Sequence, residues 1–205
     1  MMISVKLNKR QSQETTEWSG GQTTQLYIYP NSASYSERNF DFRISSAVVS
    51  QEQSEFTSLP GYRRHIMLLD GSMNLVHENH HSRTLERYEQ DFFDGAWHTS
   101  SQGKCTDFNL MLGSGFEGSL RCLYRPEAIV CKMQFCGLYA LAEGLRVYVV
   151  EGSEVIFTEI LNLNDFLMIC GANTHPDCYV VLEPQLGSAT TEALAVCASI
   201  SAQHS

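Results

Sequence analysis

The chain has 205 residues, of which 43% are hydrophobic and 18% charged, with a net charge of −9 and a pI of about 5.2. That composition belongs to a folded globular protein with one large β domain or two smaller ones, and it excludes nucleic acid as a partner, since no basic stripe exists to neutralise phosphates. No apolar run approaches the roughly 18 residues of a membrane span, and the opening MMISVKLNKRQSQ lacks a signal-peptide core, so no membrane association and a cytoplasmic location are expected.

Strand character begins in TTEWSGGQTTQLYIYP (15–30), which predicts a strand over Thr24–Tyr29. The pair Gly20–Gly21 has no helix after it and so is no phosphate loop; it allows tight backbone passage. Trp18 then serves as a lid or core residue, or as a platform for a ligand, with Thr24 and Gln25 at the strand entrance. The next strand, Asp41–Val49, carries FDFRISSA. Alternation sets Phe42, Ile44 and Ser46 on one face and Asp41, Arg43 and Ser45 on the other. The planar fork of Arg43 suits a carboxylate, and Ser45 adds a hydroxyl on the same side. An ion pair with Glu37 or Asp41 is the structural alternative for that arginine.

After the turn at Pro60–Gly61, a strand over Arg64–Leu69 must send Arg63 and Arg64 to opposite faces. Arg64 is counted with the pocket, although alternation by itself is silent on which of the two points inward. Met73–His77 follows, and then a polar stretch in which His77, Glu78, His80 and His81 crowd together. Adjacent His80 and His81 diverge in an extended chain, so the group reads as an exposed loop; no metal and no other cofactor are expected. In Cys105–Leu112 the residues Asp107, Asn109 and Met111 share one face, opposite the core face of Phe108, Leu110 and Leu112. Asp107 and Asn109 can meet a ligand or form a buried network with an arginine.

Further strands are predicted over Val130–Cys136, Leu145–Val150, Val155–Ile160, Phe166–Cys170 and Cys178–Glu183, while the Ala/Ser-rich tail after Gly187 has helical character. Seven cysteines without a CxxC pair read as reduced core residues. Many short strands with regular turns argue a barrel or sandwich. RHIMLLDG (64–71) echoes RVYVVEG (146–152), and DFFDG (91–95) echoes DFLMICG (165–171), which points to a duplicated β unit. The expected division is an N-terminal barrel over 1–112, a smaller barrel over 113–187 and a tail over 188–205.

The order W-x-G-G-x-T, F-x-F-R-I-S-S-A, F-x-x-L-P-G and D-F-N-L-M, between Trp18 and Met111, resembles the HutD/Ves family; the strand pattern extends the likeness roughly from Lys6 to Glu183. The resemblance implies an all-β bicupin with two RmlC-like cupin barrels. It also implies a link to histidine utilisation or stress-induced expression, and binding of a small anionic product of histidine breakdown such as formylated or formimino-glutamate. Gln25 stands where some relatives have glutamate, and Ala96 replaces an acid common after that glycine. The resulting expectation is a binder in which Arg43 grips a carboxylate or formyl oxygen, Ser45, Thr24 and Asn109 orient it, and Trp18 covers the mouth. No catalytic residue is assigned. The rivals are a cupin enzyme using Asp107 with a histidine such as His98, and a protein-interaction module.

Overall fold

The computed structural model describes residues 3–175, 177–184 and 192–203, and its regular elements are strands apart from two short 3-10 turns. The chain divides into two compact units, Gln13–Phe116 and Met1–Ser12 joined with Glu117–Ser205. In chain order the first strands are β1 (Ser4–Asn8), β2 (Glu14–Trp18), β3 (Gly21–Tyr29), β4 (Phe42–Val49), β5 (Gln53–Glu55), β6 (Tyr62–Gly71) and β7 (Met73–His77). Next come β8 (His81–Leu85), β9 (Gln90–Asp94), β10 (Thr99–Gln102), β11 (Cys105–Gly113), β12 (Phe116–Leu123) and β13 (Glu127–Val130). The last are β14 (Phe135–Ala140), β15 (Leu145–Glu151), β16 (Glu154–Leu161), β17 (Phe166–Cys170), β18 (Cys178–Pro184) and β19 (Ala195–Ala202).

The Gln13–Phe116 unit packs a sheet of order β2-β3-β4-β11-β6-β9 against one of order β5-β10-β7-β8. Their shared core draws Val49, Ile66, Leu68 and Cys105 from the first sheet and Met73, Leu75 and Leu85 from the second. The other unit combines β1-β17-β14-β19-β12 with β13-β18-β15-β16 around a larger apolar core, including Leu138, Val147, Leu167, Val180 and Cys197. Alternating side chains that bury one face of each sheet account for both sandwiches.

The doubling is visible in strand order. Runs β4-β11-β6-β9 and β5-β10-β7-β8 reappear as β12-β19-β14-β17 and β13-β18-β15-β16. The echo DFFDG/DFLMICG therefore joins equivalent strands, β9 and β17. The echo RHIMLLDG/RVYVVEG does not, because it aligns β6 with β15, whose counterpart is β7. Gly71 is the last residue of β6 and Gly152 follows the end of β15; both lie in the left-handed region, at φ 81° and φ 60°, and that shared backbone need accounts for the likeness.

Three expectations are corrected. Residues up to Ser12 join the second unit, where β1 pairs with β17, so the first unit begins at Gln13 and not at residue 1. The predicted strand Val130–Cys136 is broken between β13 and β14, where the chain crosses from the four-stranded to the five-stranded sheet. Both flanks are apolar, so hydrophobicity alone carries no mark of the crossing. The supposed helical tail supplies β19, paired with β14 from Ala195 to Ile200; small side chains with weak preferences follow the sheet that surrounds them. The rest of that tail, up to residue 191, lies outside the described residues. The seven cysteines are free, and all but Cys122 are buried.

Candidate functional site

A cavity of about 370 Å³ opens in the Gln13–Phe116 unit. Its polar floor comes from three neighbouring strands. Met111 of β11 is paired with Arg43 on β4 and with Arg64 on β6, so the two arginines flank one position of the middle strand. One step along, Asn109 pairs with Ser45. The period-two geometry that buries Phe42, Ile44, Phe108 and Leu110 on one face thereby collects Arg43, Ser45, Asp107 and Asn109 on the other.

Both arginines are 5% exposed. Nε of Arg43 donates to Oε1 of Gln25 at 3.0 Å, Nη1 donates to Oγ of Ser45 at 3.1 Å, and the guanidinium lies 4.4 Å from the centre of the Tyr35 ring. Tyr35 is placed by an aromatic stack on Phe40, which stacks in turn on Tyr62. Nη2 of Arg64 donates to Oδ1 of Asn109 at 3.0 Å, and the Asn109 amide donates to Oδ1 of Asp107. Phe56 and Phe93 lie 4.8 and 5.3 Å from its Cζ, and its buried Nε has no hydrogen-bond partner. Among the described residues, neither guanidinium has a carboxylate in direct contact, so the pairing of Arg43 with Glu37 or Asp41 is not made.

Burial lowers the pKa of Arg43, and it lowers that of Arg64 to about 10, which leaves Arg64 charged at neutral pH. Burial also raises the Asp107 carboxyl to about 7, against the pull of Arg64 and the hydrogen bond from Asn109. Near neutrality the buried floor of the cavity therefore holds two cations against a fractionally ionised acid, while the exposed Glu17 and Glu55 also line the cavity. The floor itself suits an anion with planar acceptor geometry.

Most of the residues expected at the site are brought together: Arg43, Ser45, Arg64, Asp107 and Asn109 line the cavity. Trp18 also lines it, 36% exposed, with its indole folded over Gly20, where a Cβ would come within 2.0 Å of the ring. Gln25 acts through Arg43. Thr24 is corrected: it faces the β2 side and shares a 2.9 Å hydrogen bond with Thr15, whereas Thr23 lines the cavity. Arg63 points the other way from Arg64 and donates to the Phe116 carbonyl at 2.6 Å. His98 is exposed beside Glu78 at 3.0 Å and lines no part of the cavity, so it is no acid–base partner for Asp107. Sequence reasoning passed over Tyr35, Phe56 and Phe93. Phe56 stands in the F-x-x-L-P-G motif, but Tyr35 sits in an irregular segment with no periodicity to mark it.

The reading of the histidine group as an exposed loop also fails in part. His77 is buried at the end of β7, and His81 opens β8; both reach Asp91, while His80 stacks on Trp97 at 3.7 Å. A divalent metal does not fit the cavity itself. It would meet two guanidinium groups and no lining imidazole, with one hydrogen-bonded aspartate and the exposed carboxylates of Glu17 and Glu55 as acidic donors.

The HutD family model matches residues 10–179. Among solved structures, HutD from Pseudomonas fluorescens SBW25 aligns at a TM-score of 0.77 with 18% identity, covering 98% of this chain and 100% of that one. A conserved protein of unknown function from Pseudomonas aeruginosa PAO1 aligns at 0.78 with 19% identity, covering 97% and 100%. The bacterial pirin YhhW from Escherichia coli, in complex with nickel(II), aligns at 0.63 with 8% identity, covering 98% and 100%. The fold is thus all-β with cupin-like neighbours. No curated protein matches the chain. No helix among the described residues is long and apolar enough to cross a membrane.

Proposed function

The chain belongs to the HutD family, and on that premise we propose that it is a bicupin whose Gln13–Phe116 unit binds a small carboxylate or formyl-bearing metabolite. The role is regulatory or buffering in histidine utilisation. One observation carries the reading: two buried guanidinium groups face a cavity without a directly bonded carboxylate, and the Nε of Arg64 has no partner. Burying a cation costs several kcal/mol unless it is compensated, and a bound carboxylate supplies that compensation. Arg43 and Arg64 hold the anion from two sides, Ser45 and Asn109 fix its orientation, and Trp18 shields the mouth. The related HutD structure from Pseudomonas fluorescens was determined in a formate condition, and formate is the smallest carboxylate.

Thermal-shift measurements with formate, glutamate, formylglutamate, formiminoglutamate and urocanate test the proposal. A true ligand at 100 times its Kd adds about 2.7 kcal/mol of stability. Arg43→Ala removes that gain while the protein stays folded. Absence of a shift with every compound, or a variant that unfolds, returns Arg43 to a structural role.

A second reading has one observation in its favour. A carboxyl titrating at about 7 inside a binding cavity is poised for proton transfer at neutral pH, which favours an acid–base enzyme with Asp107 as its working group. Turnover of any bound compound that is lost in Asp107→Asn, with binding retained, selects the enzyme over the buffer.

A further inference from the structure

Outside the cavity, two imidazoles and a carboxylate of the same unit converge on one point. His77 and His81 are direct cross-strand partners in the β7–β8 hairpin, so their side chains leave the sheet on the same face. Asp91 reaches them from β9 in the opposite sheet, and the donor atoms of all three lie within 4.8 Å of one another. Both Nε2 atoms address the same oxygen, Oδ2 of Asp91, at 3.2 Å from His77 and 3.0 Å from His81. The other carboxylate oxygen accepts the Phe92 amide at 2.8 Å, which fixes the orientation of the group.

The ring of His77 is held from both sides: Nδ1 lies 2.9 Å from Oγ1 of Thr99, and Nε2 lies 3.2 Å from Oδ2 of Asp91. The Thr99 hydroxyl can donate to Nδ1 or accept from it, so it supports either tautomer of the ring. A cation bound between Nε2 and the carboxylate selects the form with its proton on Nδ1; without one, His77 and His81 both donate to a single carboxylate oxygen.

We propose that His77, His81 and Asp91 form a site for a divalent transition metal such as zinc, cobalt or nickel, with solvent completing the coordination. Bonds of about 2.0–2.2 Å to nitrogen and oxygen place tetrahedral donors roughly 3.3 Å apart, close to the 3.0 and 3.2 Å separations found. Imidazole with one carboxylate is a donor set that these metals favour. The Thr99 hydroxyl on the far nitrogen of His77 holds the ring as an outer-shell partner does in metal sites. His77 is buried, whereas the His81 side chain is 40% exposed, which leaves an entry path and room for a water ligand.

Cobalt titration of the chelator-treated 205-residue chain tests the assignment. Trp97 lies 5.7 and 5.8 Å from the two imidazole centres, so bound cobalt quenches its emission, read in a Trp18→Phe background. The expected result is one cobalt per chain, visible d–d bands, quenching, and displacement by zinc. His81→Ala removes a half-exposed side chain without opening the core and weakens binding at least tenfold, while His98→Ala changes nothing. Failure to bind cobalt, or equal binding by wild type and His81→Ala, overturns the proposal. In that case Nε2–H of His77 donates to Asp91 as an ordinary hydrogen bond.

Discussion

The two units repeat one strand order and fill it with opposite chemistry. At the centre of the Gln13–Phe116 unit, β4, β11 and β6 present Arg43, Asn109, Asp107 and Arg64 to a cavity. Their counterparts β12, β19 and β14 contribute Leu123, Ala195, Cys197, Cys136 and Leu138 to a continuous apolar core. The second unit fills the same strand order with apolar side chains at these positions. The buried charges of the first unit work against its stability, and their retention points to a task outside folding.

Breaking the polar centre has the largest expected effect. Arg64→Ala strands Asp107 and Asn109 without their cation and costs about 3–5 kcal/mol in denaturant unfolding. The double variant Arg64→Met/Asp107→Leu recovers most of that loss, because it gives the first unit the character of the second. A double variant no more stable than Arg64→Ala would mean that the charges are needed for folding.

A smaller effect separates the units by pH. The Asp107 carboxyl moves from 3.8 in an open chain to about 7 in the fold, so between these values the folded state binds more protons than the unfolded chain. Its contribution to stability is complete below about pH 4 and is lost as pH rises through about 7. Asn stays neutral, so Asp107→Asn should match wild type near pH 4 and exceed it by on the order of 3 kcal/mol at pH 8. Melting curves at the two pH values decide the matter. Anion affinity should follow the same acid and rise from pH 8 to pH 6, as Asp107 takes up its proton. The smallest effect belongs to the strand facing β4: Thr24→Val should alter stability by no more than about 0.5 kcal/mol and leave ligand binding intact. A loss of binding there would place the wrong face of β3 at the cavity.

Much of this site was legible because strand alternation is a rigid rule. Once β4 and β11 are recognised as strands, Arg43 must share a face with Ser45, and Asp107 with Asn109. The same rule separated Arg63 from Arg64 without saying which pointed in. Thr24 was assigned to the site without that rule: alternation sets the neighbours Thr24 and Gln25 on opposite faces of β3, and Gln25 is the one that reaches Arg43. Tyr35 was invisible because its position over Arg43 depends on stacking with Phe40 and Tyr62, contacts made across an irregular segment.

The amino-acid order by itself determined the all-β class, the family likeness and the polar faces of β4 and β11, since each follows from local periodicity or contiguous motifs; of the two echoes that suggested a doubled plan, one joined equivalent strands. Tertiary structure alone decided that β1 and β19 complete the second unit, that Arg64 turns inward, and that His77 and His81 meet Asp91. Those outcomes rest on pairing and packing between segments far apart in the chain, where no local preference records which partner a side chain will meet.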